Sequence, residues 1–483
     1  MLKFAKYHKV EWIVFSVWFL LWFGLGTHMN ETFNINSYYL PNFNFLRANL
    51  IFYIFVILLG YFLYYREKTE YLIFSLYPIL GFFGFILNSK ESIYFGLHNS
   101  ISLLALALFI NFISSKNINK KLIFYLLHYS TIFILSIFFI LFIAPDFVKK
   151  ILNFYLGARG ENTIDIIFDK NVNFHIPQNS NGASRIILFL TMLLSCFYNF
   201  LLKNKFNFIN IFLLIIILIL ASINIFYQSK LNILAFIICC CYIFLSNNNY
   251  KDKLKILSLV LLITLPFIIN FAYEKYYNKN YNFIQNNRLF SNNEGFFIFK
   301  NTDQFFISNK DQKEKYDYKD QFNISDKNID ELCFSHNTAM DRFFGGRICG
   351  WEILTKLYFN NFELFGHGFF EDRIILKKFE KISSNSYLFA LFNSGILSFL
   401  ILIIFYSIIF IKIIKSILIS RKVKSNFPAT TEFYTILTIY LIVRSFFEDT
   451  LAFLSVDLLL IVTCISFLNY FFDISNNLSK RIL

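Results

Sequence analysis

About twelve stretches of some 20 mostly apolar residues recur along this chain, each long enough to cross roughly 30 Å of hydrocarbon as a helix. A helix is the form such a stretch must take, because no water there can satisfy unpaired backbone groups. The stretches run approximately over 10–29, 48–65, 71–87, 94–113, 122–144, 184–201, 208–226, 231–247, 256–273, 386–411, 432–449 and 451–472. With 16% charged residues and a mean hydropathy of +0.53, the chain is excluded from the soluble globular class. The fold expected is all-α, a polytopic membrane protein with about twelve transmembrane helices and a large outward loop carrying an amphipathic helix. Residues 10–29 are expected to remain as the first helix, since no small-residue cleavage site follows Thr27-His28-Met29.

Loops rich in Lys and Arg stay on the cytoplasmic side, so basic residues predict the orientation. Lys3, Lys6 and Lys9 place the N-terminus inside. Alternate connections carry Arg66 and Lys68; Lys116, Lys120 and Lys121; Lys203 and Lys205; Lys251, Lys253 and Lys255; and Lys412, Lys415, Arg421, Lys422 and Lys424, with Lys480 and Arg481 at the C-terminus. The net charge of +14 is therefore a topology signal. Scattered over separate cytoplasmic segments, it offers no single basic surface, and a nucleic-acid partner is not expected. The organisation predicted is helices 1 to 9 in 1–273, with a smaller outward loop at 145–184, a large outward loop at 274–383, and helices 10 to 12 in 384–483.

Cys239, Cys240 and Cys241 are consecutive in an apolar stretch, where a helix turns them to three faces, so they read as packing and not as a metal site. Cys333 and Cys349 are the cysteines of the large loop, and their spacing leaves a disulfide open in an oxidising compartment. The chain shows no internal repeat, Walker motif, dinucleotide fingerprint or HExxH, and no cofactor is expected. From Lys275 to about Asn337 the large loop is rich in Asn, Lys, Asp and Tyr and reads as a surface excursion. Between Asp341 and Phe365, Ile348, Trp351, Ile353, Leu354 and Leu357 recur at helical spacing, which predicts an amphipathic helix near the outer membrane interface. Arg347 and Trp351 are four apart and share a face, either as an interfacial anchor pair or with the indole fixing the guanidinium stem.

The run GGRICGWEILTKLYFNNFELFGHGFFED followed by SSNSYLFALFNSGILSFLI resembles the signature region of the O-antigen polymerase and O-antigen ligase superfamily. The family pattern, a G-R-x-x-x-W segment, an F-G-x-G turn, H-N-x-Y-L and a G-I-x-x-x-L helix, falls on Gly346, Arg347 and Trp351; on Phe365, Gly366 and Gly368; on Asn385, Tyr387 and Leu388; and on Gly395 and Ile396. Ser384 stands where the family has histidine, a departure. Lys230, at the family's T-x-S-R turn, replaces its usual arginine, with a lysine snorkelling at a helix end as the structural alternative. Pro177, Asn179, Asn181, Gly182 and Arg185 are similar to the P-N-x-x-G segment, and Arg444, Glu448 and Asp449 to an R-x-x-x-E segment at an outward helix end.

Members of this superfamily move a glycan from an undecaprenyl-diphosphate carrier onto a hydroxyl acceptor at the outer face of the inner membrane. The resemblance thus implies a multi-pass protein of the bacterial inner membrane that binds an undecaprenyl-diphosphate-linked glycan among membrane lipids, with a chain-length regulator as a family-level partner. Its site must stabilise charge developing on a leaving diphosphate, which arginine does by paired charge-assisted hydrogen bonds, without a metal where cations converge. Arg347, Lys230 and Arg185 are the expected clamp. Ser384 cannot act as a base near neutral pH, so either the base is one of His336, His367, Glu371, Asp372, Asp341 and Glu448, led by Glu448 and His367, or deprotonation lags behind departure of the leaving group. Trp351, Ser384, Asn385, Tyr387 and Arg444 are the expected substrate-binding residues, while an intrahelical Arg444–Glu448 bridge is the structural alternative for that pair. Loss of the histidine favours a polymerase joining lipid-linked repeat units over a ligase transferring glycan to lipid A-core. A lipid-linked oligosaccharide flippase or another transporter is the reading from a different class.

Overall fold

The computed structural model describes residues 9–24, 41–88, 93–116, 118–143, 188–194, 212–213, 215–217, 333, 347–369, 371–377, 385–422, 428–448, 451–452 and 454–482. Among these the regular structure is helical: α1 (Lys9–Gly24), α2 (Pro41–Tyr65), a 3-10 turn (Glu70–Ser75), α3 (Leu76–Asn88), α4 (Ile93–Ile113), α5 (Lys120–Ile143), α6 (Arg347–Asn360), α7 (Glu371–Lys377), α8 (Ser386–Lys422), α9 (Pro428–Ser445) and α10 (Val456–Ile482). Among the described residues three helical segments are long and apolar enough to cross a membrane, Glu70–Asn88, Ser386–Ile419 and Val456–Ser475, while Val10–Trp22, Ile51–Tyr64 and Asn99–Ile113 are shorter apolar helices. The expected stretches at 231–247 and 256–273, much of 184–201 and 208–226, and the smaller loop at 145–184 lie outside the described residues, as do Cys239, Cys240 and Cys241.

Local sequence explains several boundaries. Pro41 and Pro428 open α2 and α9, where a missing N–H is harmless and the fixed φ already suits a helix. Ser455 caps α10, its Oγ accepting from Leu458 N at 3.2 Å. The last expected stretch, 451–472, accordingly begins later as a helix, with Leu451 and Ala452 in the preceding turn. The first is helical over Lys9–Gly24, and residues 25–29 lie outside the described residues.

Helices α1, α2, α4 and α5 pack with α9 and α10 around one apolar core. Trp18 stacks on Phe109 at 5.8 Å, and Phe74 on Phe405 at 4.4 Å. Phe124, Tyr434 and Phe467 join α5, α9 and α10, and His128 Nδ1 lies 2.6 Å from Tyr434 Oη. Between α2 and the 3-10 turn, Asn111 of α4 accepts from Thr69 N at 2.8 Å and donates to the Glu67 carbonyl at 3.0 Å. Glu70 pairs with Lys412 of α8, whose Nζ stands 4.5 Å from the centre of the Tyr71 ring. Helix α3 runs from this end along α8 to Asn88, whose Nδ2 donates to the Gly366 carbonyl at the other end of the bundle.

A second, smaller core lies at that far end. Cys349, Ile353, Leu354, Leu357 and Tyr358, at spacings that share one face of α6, pack against Ile375 and Leu376 of α7 and Leu391 and Phe392 of α8. The apolar face of α6 therefore packs onto protein, because α7 and the first turns of α8 supply the apolar partners. Phe359, Phe362 and Leu364 remain exposed at its end. Cys333 and Cys349 form a disulfide, with Cα atoms 5.3 Å apart.

Candidate functional site

Three chain segments meet at this end: the start of α6, the start of α8, and the connection from α9 to α10. Arg347 is the first residue of α6, and its Nη2 donates to Glu448 Oε1 at 2.9 Å. One turn on, the Trp351 ring lies 6.2 Å from Phe447. Arg347 and Trp351 thus share a face, as their spacing predicts, and both address the same connection.

Asn385 caps α8. Its Oδ1 accepts from Tyr387 N at 2.9 Å and Leu388 N at 3.0 Å, and its Nδ2 donates to the Phe446 carbonyl at 2.7 Å. Ser386 Oγ donates to the Glu448 carbonyl at 2.6 Å and accepts from Leu451 N at 3.2 Å. Tyr387 accepts from Ser445 Oγ at 3.2 Å and packs its ring on Phe446 at 4.9 Å. The Asn385 amide thereby holds the α9–α10 connection against α8.

Arg444 is buried, its Nε donating to Asp457 Oδ2 at 2.9 Å and its Nη1 to Tyr440 Oη at 3.2 Å. Helix α9 ends at Ser445, and both side chains reach other elements: Arg444 pairs with Asp457 and Glu448 with Arg347, while the Glu448 charge also acts on Arg444. Four charges then alternate in sign across the connection, Arg347, Glu448, Arg444 and Asp457. Asp457 was not among the residues singled out from sequence. The signal was there, a lone carboxylate at the start of an apolar helix, which demands a partner where water is scarce.

The F-G-x-G turn and the G-I-x-x-x-L segment, distant in sequence, touch. Gly395 breaks α8 at φ 82°, ψ 174°, a backbone region essentially reserved for glycine. Carbonyls in the turn before the break accept from the incoming loop, Phe392 from His367 N at 2.9 Å and Asn393 from Gly368 N at 2.9 Å. The Asn393 side chain clasps Asp372 reciprocally, donating to its Oδ1 at 2.9 Å and accepting from its N at 3.2 Å. On the other side Gly84 of α3 leaves room for the Phe365 carbonyl, where no Cβ would fit. Irregular backbone is tolerable here because protein encloses and satisfies it.

His367 is buried in this turn, 4.6 Å from the Phe392 ring and 6.2 Å from Tyr358. Glu371 and Asp372 are buried beside it. All three, like Glu448, fall among the buried polar residues of the described chain. Burial pushes the His367 imidazole down to about 4. The unfolded chain takes up this proton near pH 6.5, the folded one only near 4, so the stability of the neutral ring is complete above about 6.5 and is lost as pH falls between those values. The melting temperature in detergent should therefore drop more steeply between about pH 7 and pH 4.5 for wild type than for His367→Gln. Parallel curves for the two proteins would remove this role.

No protein-family model, curated protein or solved structure matches this chain. Lys230, Arg185 and Ser384 lie outside the described residues, as do His336 and Asp341, so the expected convergence of Arg347, Lys230 and Arg185 is not addressed by the geometry. Of the named candidates, Arg347, Glu448 and Trp351 are brought together, Arg347 and Trp351 half-buried and Glu448 mostly buried, whereas Arg444, Asn385 and His367 make the other contacts described above.

Proposed function

We propose that this chain is an O-antigen polymerase-like glycosyltransferase that joins undecaprenyl-diphosphate-linked repeat units at the outer face of the bacterial inner membrane. The observation that carries the reading is Arg347, a partly open guanidinium held at one end of an apolar helical bundle by the contact of α6 with the α9–α10 connection. The meeting of the F-G-x-G turn with Gly395 supports it too, since two pieces of the resemblance form one unit in space. The Cys333–Cys349 disulfide favours an oxidising, outward compartment for α6. About twelve spans, with both termini in the cytoplasm, complete the topology of this reading.

In the reaction the acceptor hydroxyl oxygen attacks the anomeric carbon as the bond from that carbon to the diphosphate oxygen breaks. The electron pair departs with the diphosphate, where Arg347, with Lys230 and Arg185, would neutralise it, and the hydroxyl proton passes to a carboxylate, for which Glu448 is the group at hand. Removing one such cation should cost about 10²- to 10³-fold in rate.

The test is a surface-glycan gel from a strain lacking the gene, complemented with wild type or with Arg347→Ala. A ladder that collapses to one repeat on the lipid core and is restored by wild type alone is the expected result. Disappearance of all repeats from the core, with carrier-linked polymer accumulating, would make the chain a ligase, and an unchanged ladder would turn the reading toward transport.

A further inference from the structure

We propose that Glu448 is a placeholder: it occupies Arg347 in the resting protein, and an incoming lipid diphosphate displaces it from the guanidinium. This rests on the diphosphate role of Arg347 proposed above and adds how the site is kept closed to stray anions.

Three observations carry it. First, the two ion pairs at this end differ in kind. Arg444 and Asp457 are 2% and 0% exposed, whereas Arg347 and Glu448 keep 17% and 11% of their side-chain surface accessible, so of the two pairs the second is the one with an edge a ligand could meet. A diphosphate brings more charge and more acceptor oxygens to the guanidinium fork than one carboxylate does, which is what displacing a mostly buried carboxylate requires. Second, the main chain of Glu448 is clamped, its N–H donating to the Arg444 carbonyl at 2.9 Å and its carbonyl accepting from Ser386 Oγ at 2.6 Å. Exchange therefore needs only a side-chain rotation. Third, the displaced carboxylate has a second cation behind it, for its charge already acts on Arg444. With Arg347, Glu448, Arg444 and Asp457 balanced, the resting site carries no net charge from these four groups.

The experiment uses the full chain purified in detergent and measures binding of farnesyl diphosphate, inorganic pyrophosphate and farnesol. Glu448→Gln, isosteric but uncharged, should bind farnesyl diphosphate up to about fivefold more tightly than wild type, the strength expected of a partly accessible ion pair. In the Arg347→Ala background that gain should vanish, as a double-mutant cycle requires when one group acts through the other. Equal affinity of wild type and Glu448→Gln would overturn the placeholder, and so would a gain that survives in Arg347→Ala, which would make Glu448 a general repellent. If Arg347→Ala does not fold, Arg347→Gln carries the same comparison. Tighter binding of pyrophosphate than of farnesyl diphosphate would overturn the lipid source of the ligand. A wild type that binds farnesyl diphosphate no better than farnesol, or as well with Arg347 replaced, would overturn the diphosphate role of Arg347 itself.

Discussion

Replacing Asp457 by alanine should cost about 3–5 kcal/mol of stability, because it strips a buried guanidinium of its charge partner. Arg444 is 2% exposed and directs its Nε to Asp457 Oδ2, with Tyr440 Oη as a neutral second acceptor. Without the carboxylate, the fold either keeps an uncompensated cation in a water-poor interior or draws Arg444 outward and dismantles the packing around it. The position also matters: Asp457 lies in the first turn of α10, where a negative charge is favoured by the helix dipole. Asn at this site keeps the shape and an acceptor but not the charge, and should cost less. Melting in detergent followed by intrinsic fluorescence reads both. The double replacement Arg444→Met with Asp457→Leu should recover much of the loss, since an apolar pair of similar volume often substitutes for a buried ion pair without penalty. An Asp457→Ala protein that melts with wild type would show that the pair does not hold the α9–α10 connection.

Gly395→Ala should be comparably damaging, by roughly 3–5 kcal/mol, summing strain at a backbone conformation foreign to side chains with the cost of overpacking. The added methyl group would run into the Leu364 carbonyl, and Gly366 N stands 2.7 Å from where it would sit. Both obstacles are backbone, so neither can rotate away. Relief would require α8 to straighten, and straightening would withdraw the Phe392 and Asn393 carbonyls from His367 N and Gly368 N. Gly60 in α2 is the internal contrast. Nothing lies within 4 Å of its added methyl group, and Gly60→Ala should be neutral or stabilising by up to about 1 kcal/mol. Equal melting temperatures for the two alanine variants would argue against a break at Gly395.

Much of the helical architecture is legible before any coordinates. The stretches at 48–65, 71–87, 94–113 and 122–144 coincide closely with α2, the 3-10 turn plus α3, α4 and α5, since apolar length is a local property. Part of the site is legible in the same way. The spacing of Arg347 and Trp351 places them on one face of α6, and both meet the connection that contains Glu448. What spacing misjudges is the partner. Arg444 and Glu448, four apart, look like a helical pair, but α9 stops at Ser445 and each finds its counter-ion in another element.

The sequence by itself determined that this chain builds apolar helices, because 20 consecutive residues or so decide whether a segment can do without water, and among the described residues three helices have the length and composition to cross a membrane. It also marked Arg347 and the glycines of the two motif segments as unusual positions. Only the tertiary structure decided which charges neutralise one another, that His367 and Asn385 serve the fold, and that Gly395 interrupts α8 to receive the Glu363–Phe369 loop. The reason is physical: helix formation is settled by neighbours along the chain, whereas the cost of a buried charge or an open carbonyl depends on groups that folding alone brings within 3 Å or so.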